Sequence, residues 1–145
     1  MEILVSLVKF LLDRRIHTQV NAPGAETYRF DGSNPIQFEG FYRSTSRIFF
    51  QDTMSPAALY RADTDRLFDV RDTLILITHR PDRSVVTLLE ELRRKNQKAI
   101  LIVNNIGMTE REIIRIKSYF DDLRRRGGGV LHVRGAETIT EDLER

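Results

Sequence analysis

The stretch Asp72–Asn105, DTLILITHRPDRSVVTLLEELRRKNQKAILIVNN, decides how the rest of the chain is read. It holds two short apolar runs, Thr73–Thr78 and Ala99–Val103, on either side of a charged segment. The first run is too rich in Ile and Leu for a strand with one face in water, and it ends at a turn signal, His79-Arg80-Pro81-Asp82. After the turn, Val85, Val86, Leu88, Leu89 and Leu92 recur at helical spacing, with Glu90, Glu91, Arg93, Arg94 and Lys95 on the other side. The second run is again continuously apolar, as strands covered on both faces by crossover helices are. Strand, helix and strand in this order predict a right-handed β-α-β unit. Open parallel sheets bind ligands at the loops that follow their strands, so the unit also points to a site.

Upstream, Arg47-Ile48-Phe49-Phe50-Gln51 is short, aromatic and β-branched, and predicts a preceding strand. Asp52-Thr53-Met54-Ser55-Pro56 follows it, with Ser55 suited to a helix N-cap and Pro56 to the first helical position. Glu26–Phe30 alternates like another strand and stops at the turn formers Asp31-Gly32-Ser33-Asn34-Pro35. Ile36, Phe38 and Phe41 fit either a further strand or a packed loop, and Asn21–Gly24 reads as a loop. At the N-terminus Ile3, Leu4, Leu7, Val8, Leu11, Leu12 and Ile16 make the stripe of a helix expected to cover the sheet.

Downstream, Thr109-Glu110-Arg111-Glu112 is a capping box, and Ile113, Ile116, Phe120 and Leu123 stripe the helix it opens. Arg124, Arg125 and Arg126 suit the dipole of its last turn, where Gly127-Gly128-Gly129 stops it. They read as a solvated helix end and not a nucleic-acid patch, since no aromatic residues interleave with them. Val130–Val133 reads as a final strand, and acidic Ala136–Arg145 fits a last helix or a frayed end. No repeat, low-complexity tract or linker intervenes, so residues 1–145 are expected to form a single α/β domain. The expected architecture is a three-layer α-β-α sandwich with a mostly parallel sheet, Rossmann-like in outline.

Composition narrows the function classes. With 145 residues, 41% hydrophobic and 30% charged, the chain can bury its own core. The absence of cysteine excludes disulfides, thiol nucleophiles and zinc–thiolate sites, and three scattered histidines argue against a histidine metal site. A net charge of +2 suits phosphorylated ligands and does not call for nucleic acid. The first residues carry Glu2 where a signal peptide carries a base, and Lys9 interrupts an apolar stretch too short to span a bilayer. The expected setting is cytoplasmic, with no membrane partner and no cofactor.

Three strand-to-helix loops, Asp52–Pro56, Thr78–Ser84 and Asn104–Thr109, should share one edge of the sheet, where helix N-termini offer amides to an anion. Arg80 and Arg83 add guanidinium forks suited to phosphate or carboxylate, with solvated surface arginines as the bland alternative. Asn104 could bond a sugar or base, or could simply end its strand. His79, at a strand end in the same cleft, is the candidate for proton transfer, with Asp52 or Asp82 to orient it or merely to cap a turn. The GxxxxGK[ST], GxGxxG and GxSxG patterns are all absent.

In this order and spacing, Asp72, the strand to Thr78, the loop to Ser84, the helix to Asn96 and the strand Ala99–Val103 resemble part of the sugar isomerase (SIS) fold. Arg47–Phe50 followed by Asp52-Thr53-Met54-Ser55 is similar to that family's preceding strand and first ligand loop. The resemblance implies a phosphosugar ligand contacted by the hydroxyls of Thr53, Ser55, Thr78 and Ser84. It also implies aldose–ketose isomerisation if the chain is an enzyme, and a homodimer. SIS loops usually carry glycine, whereas Thr78–Ser84 has none. The rival expectation, from a different class, is a non-catalytic interaction or regulatory module acting through oligomerisation.

Overall fold

The computed structural model describes residues 1–48, 55–62, 71–79, 81–104, 107–125 and 129–133. Two compact units divide them, the first containing the described residues up to Ile48 and the second those from Ser55 onward.

The first unit opens with helix α1 (Glu2–Asp13), whose stripe buries Ile3, Leu7, Val8 and Leu12 while Lys9 pairs with Asp13 at 2.7 Å in solvent. The helix closes on Arg15 in the left-handed region (φ +56°), with the Ile16 amide donating back to the Leu11 carbonyl at 2.9 Å. Strands β1 (Thr18–Ala22) and β2 (Tyr28–Gly32) then pair antiparallel, with Val20 opposite Phe30. Half of the loop expected over Asn21–Gly24 is therefore strand. Thr18, Val20 and Ala22 face inward and Gln19 outward, a period-two pattern with too little apolar content to stand out in sequence. Gly24 bridges to Ile48, and a Cβ there would lie 2.4 Å from the Arg47 carbonyl oxygen, so only glycine permits the approach.

Ile36, Phe38 and Phe41 lie in helical structure, not in a strand or loop. Asn34 accepts the Ile36 amide at 3.0 Å while Gln37 accepts the Asn34 amide at 3.0 Å. This capping box around Pro35 starts a 3-10 turn that runs directly into α2 (Phe38–Ser44). Phe41 is fully buried, its ring 4.9 Å from that of Phe30, in a core shared with Val8, Leu12, Val20 and Tyr28. The N-terminal helix, expected over the parallel sheet, thus packs Val8 and Leu12 onto the hairpin. Of the strand expected at Arg47–Gln51, Arg47 ends a 3-10 turn and Ile48 forms the bridge, while Phe49–Gln51 lie outside the described residues.

The second unit runs α3 (Pro56–Ala62), β3 (Thr73–Thr78), α4 (Arg83–Arg94), β4 (Lys98–Asn104), α5 (Glu110–Arg125) and β5 (Gly129–Val133). The β-α-β unit forms as read, with β3 parallel to β4 and Thr78 opposite Val103. A second crossover adds β5 beside β4, giving the order β3-β4-β5. Two successive crossovers of one hand put α4 and α5 on the same face. One core accordingly holds Leu88 and Leu92 of α4, Phe120 of α5, Ala57 of α3, and Leu76 and Leu101 of the sheet. Burying each such leucine contributes roughly 2 kcal/mol.

The three-layer sandwich with a mostly parallel sheet does not form. Among the described residues there are two small sheets, an antiparallel pair and a parallel trio, and the helices of the second unit share one face of their sheet. Hydrophobic periodicity reports which face of a strand is buried, but not which strand it pairs with. The short link between β1 and β2 closes a hairpin locally, whereas parallel strands need a crossover helix.

Candidate functional site

In the parallel unit β3 and β4 end together, and α4 and α5 begin beyond those ends. Thr78 is the last residue of β3 and is buried, at 9% exposure, while His79 after it is exposed. Asn104 ends β4, half-buried, paired in register with Val133 of β5. Thr53 and Arg80, which complete the expected ligand set, lie outside the described residues.

Ser55 caps α3, accepting the Ala58 amide at 3.2 Å, as Ser-Pro at a helix start leads one to expect. Asp82 caps α4, accepting the Val85 amide at 3.0 Å and the Ser84 hydroxyl at 2.5 Å on one carboxylate oxygen. The two caps meet: Ser55 Oγ lies 3.4 Å from Ser84 Oγ, across 29 residues of chain. Because Ser84 gives its proton to Asp82, Ser55 is the donor in that contact. The order is hydroxyl to hydroxyl to carboxylate, and 3.4 Å makes the first link a weak one. The hydrogen bond from Ser84 holds the Asp82 carboxyl below its ordinary value of 3.8; burial opposes it, and the backbone amides add smaller lowering effects.

The third loop closes the same way. Thr109 caps α5, its hydroxyl accepting the Glu112 amide at 3.3 Å, while Glu112 Oε2 takes the Thr109 amide at 2.8 Å and hydroxyl at 2.9 Å. The capping box read from Thr109 and Glu112 is therefore present. Gly107 ahead of it has φ +81°, a conformation suited to glycine.

Of the residues singled out in sequence, the fold brings Ser55 against Ser84 and puts Thr78, His79 and Asn104 at adjacent strand ends. Arg83 is exposed at the first position of α4. Asp82 belongs to the cluster as a cap, and the spacing Asp82-x-Ser84 ahead of an apolar stripe is the signal for it. Two helix starts expected to receive an anion already hold carboxylates, Asp82 and Glu112. A phosphate placed directly on those amides would face negative charge. Among the described residues no three imidazole or carboxylate groups converge on a common point that could hold a metal ion. No helix among them is long and apolar enough to cross a membrane. No family model, no curated protein and no solved structure matches the chain.

Proposed function

We propose that the parallel unit binds a small hydroxylated molecule of the phosphosugar type at the C-terminal rim of β3 and β4, in a cytoplasmic setting. The observation that carries this is the meeting of Ser55 with Ser84. Ser55 keeps an acceptor lone pair and Asp82 a second carboxylate oxygen, so what the cluster offers a ligand is mainly acceptors. Sugar hydroxyls, which donate, match that set; a phosphate, which accepts, belongs by the Arg83 guanidinium and away from Asp82. His79 is the residue that would move a proton if the bound sugar is isomerised.

Calorimetry with a panel of hexose phosphates and the same hexoses without phosphate tests the reading. The expected result is binding that loses its preference for phosphate in Arg83→Ala. Ser55→Ala with Ser84→Ala should weaken it about tenfold, the scale of one or two net hydrogen bonds. His79→Gln should keep binding and lose any turnover. No heat from any compound would end the proposal.

A non-catalytic interaction module is the second reading, favoured by the carboxylates that already fill the α4 and α5 helix starts. Sedimentation showing a tight dimer, with no ligand-dependent melting shift, selects it.

A further inference from the structure

A parallel unit brings together, at the edge opposite the rim, segments that are far apart in the chain. Each crossover helix begins beyond the C-terminal ends of the strands and must return to their N-terminal ends before the next strand can start. α4 therefore delivers Arg93, Arg94 and Lys95 to that edge, and β4 starts there with Lys98. α5 delivers Arg124 and Arg125 to the same edge, and Arg71 stands just ahead of β3. One contact ties these segments directly: the Gln97 side-chain amide, in the turn from α4 to β4, donates to the backbone carbonyl of Asp72.

All seven cations are exposed. Among the described residues Asp72 lies with them, while Glu90 and Glu91 on α4 and Asp121 and Asp122 on α5 stand up to about a turn further back along their helices, Glu91 beside Arg61 at 3.5 Å. Helix dipoles favour arginines in last turns and account for Arg93, Arg94, Arg124 and Arg125 one at a time. They do not account for Lys98 and Arg71, or for gathering like charges that repel one another. The charge is invisible in the net value of +2 because it is spread over four stretches of sequence and balanced elsewhere.

We propose that this edge docks on the sugar–phosphate backbone of double-stranded nucleic acid without reading its sequence. Strands about 4.8 Å apart and helices about 10 Å apart make the cationic edge roughly 10–15 Å across. That span covers three or four phosphates of one strand, which follow one another at about 3.4 Å along a duplex. Five of the seven cations are arginines, whose forks match phosphate oxygens. Single-stranded binding wants exposed aromatic rings for stacking, and membrane docking wants exposed apolar side chains. Among the described residues those cationic segments carry neither. The surface is separate from the small-molecule rim and stands or falls independently of it.

Fluorescence anisotropy of the full chain with labelled 20-base-pair duplexes of unrelated sequence is the test. Binding is expected at about 50 mM salt with little dependence on sequence. Raising salt to about 200 mM should weaken it about a hundredfold, as three or four released counterions require. Arg93→Glu with Arg94→Glu should weaken it at least tenfold. Arg111→Glu with Arg115→Glu, an equal charge change on the first half of α5, should leave it within a factor of about two to three. Should the first pair disturb folding, Arg94→Gln, Lys95→Gln and Arg125→Gln together supply a milder loss of charge. The proposal is overturned by no binding at low salt, by equal losses from the two glutamate pairs, or by tighter binding to phosphatidylserine vesicles than to duplex.

Discussion

Asp82 accepts both the Val85 amide and the Ser84 hydroxyl on one carboxylate oxygen, so a single side chain caps α4 and orders the first turn. Asp82→Ala should cost about 1 kcal/mol, read from the midpoint of chemical denaturation. Its folded pKa is held below 3.8, so its contribution is complete above the unfolded value and is lost as pH falls through the folded one. Stability should thus drop on acidification below about pH 4, and Asp82→Asn should flatten part of that drop. Asp31 behaves likewise on the hairpin surface: bonds from His17 at 2.8 Å and Gln19 at 2.9 Å lower its pKa. A carbon-detected titration should show the Asp31 carboxyl moving back up in His17→Ala. The capping roles of Ser55, Thr109 and Glu112 were legible in sequence because a cap needs only its own few neighbours. The meeting of Ser55 with Ser84 was not, because nothing local encodes a contact across 29 residues.

At the scale of elements, α1 and α4 stop by the same device. Arg15 and Asn96 both sit in the left-handed region, at φ +56° and +55°, and the next amide reaches back to the carbonyl five residues earlier. Arginine is the poorer choice there. Arg15→Gly should gain up to about 1 kcal/mol, while Asn96→Val should cost about 1–2 kcal/mol, both from denaturation midpoints. The parallel pair and the helix between them were readable because continuous apolar runs and a helical stripe differ in period. The hairpin and α2 were harder. β1 alternates small and polar residues, and the aromatics Phe38 and Phe41 fit a strand until the Asn34–Gln37 box starts a helix. Phe41 anchors that helix in the hairpin core, and Phe41→Ala should cost about 3–5 kcal/mol.

For the whole molecule, the two sheets should differ in durability. β4 is hydrogen-bonded on both sides within a three-stranded sheet, whereas among the described strands β1 and β2 pair with each other alone. Hydrogen exchange should find the amides of β4 the slowest and those of the hairpin faster. Slower exchange in β1 and β2 than in β4 would contradict the order of burial seen here. The sequence by itself determined where most chain segments become helix or strand, which faces they bury, and how the helices are capped. These follow from spacing over a few residues. Only the tertiary structure decided that the strands divide between two sheets, that α4 and α5 lie on one face, and that four basic stretches meet at one edge. Strand partners and the return of each crossover helix are set by how the chain closes in space, and no window along the sequence contains that information.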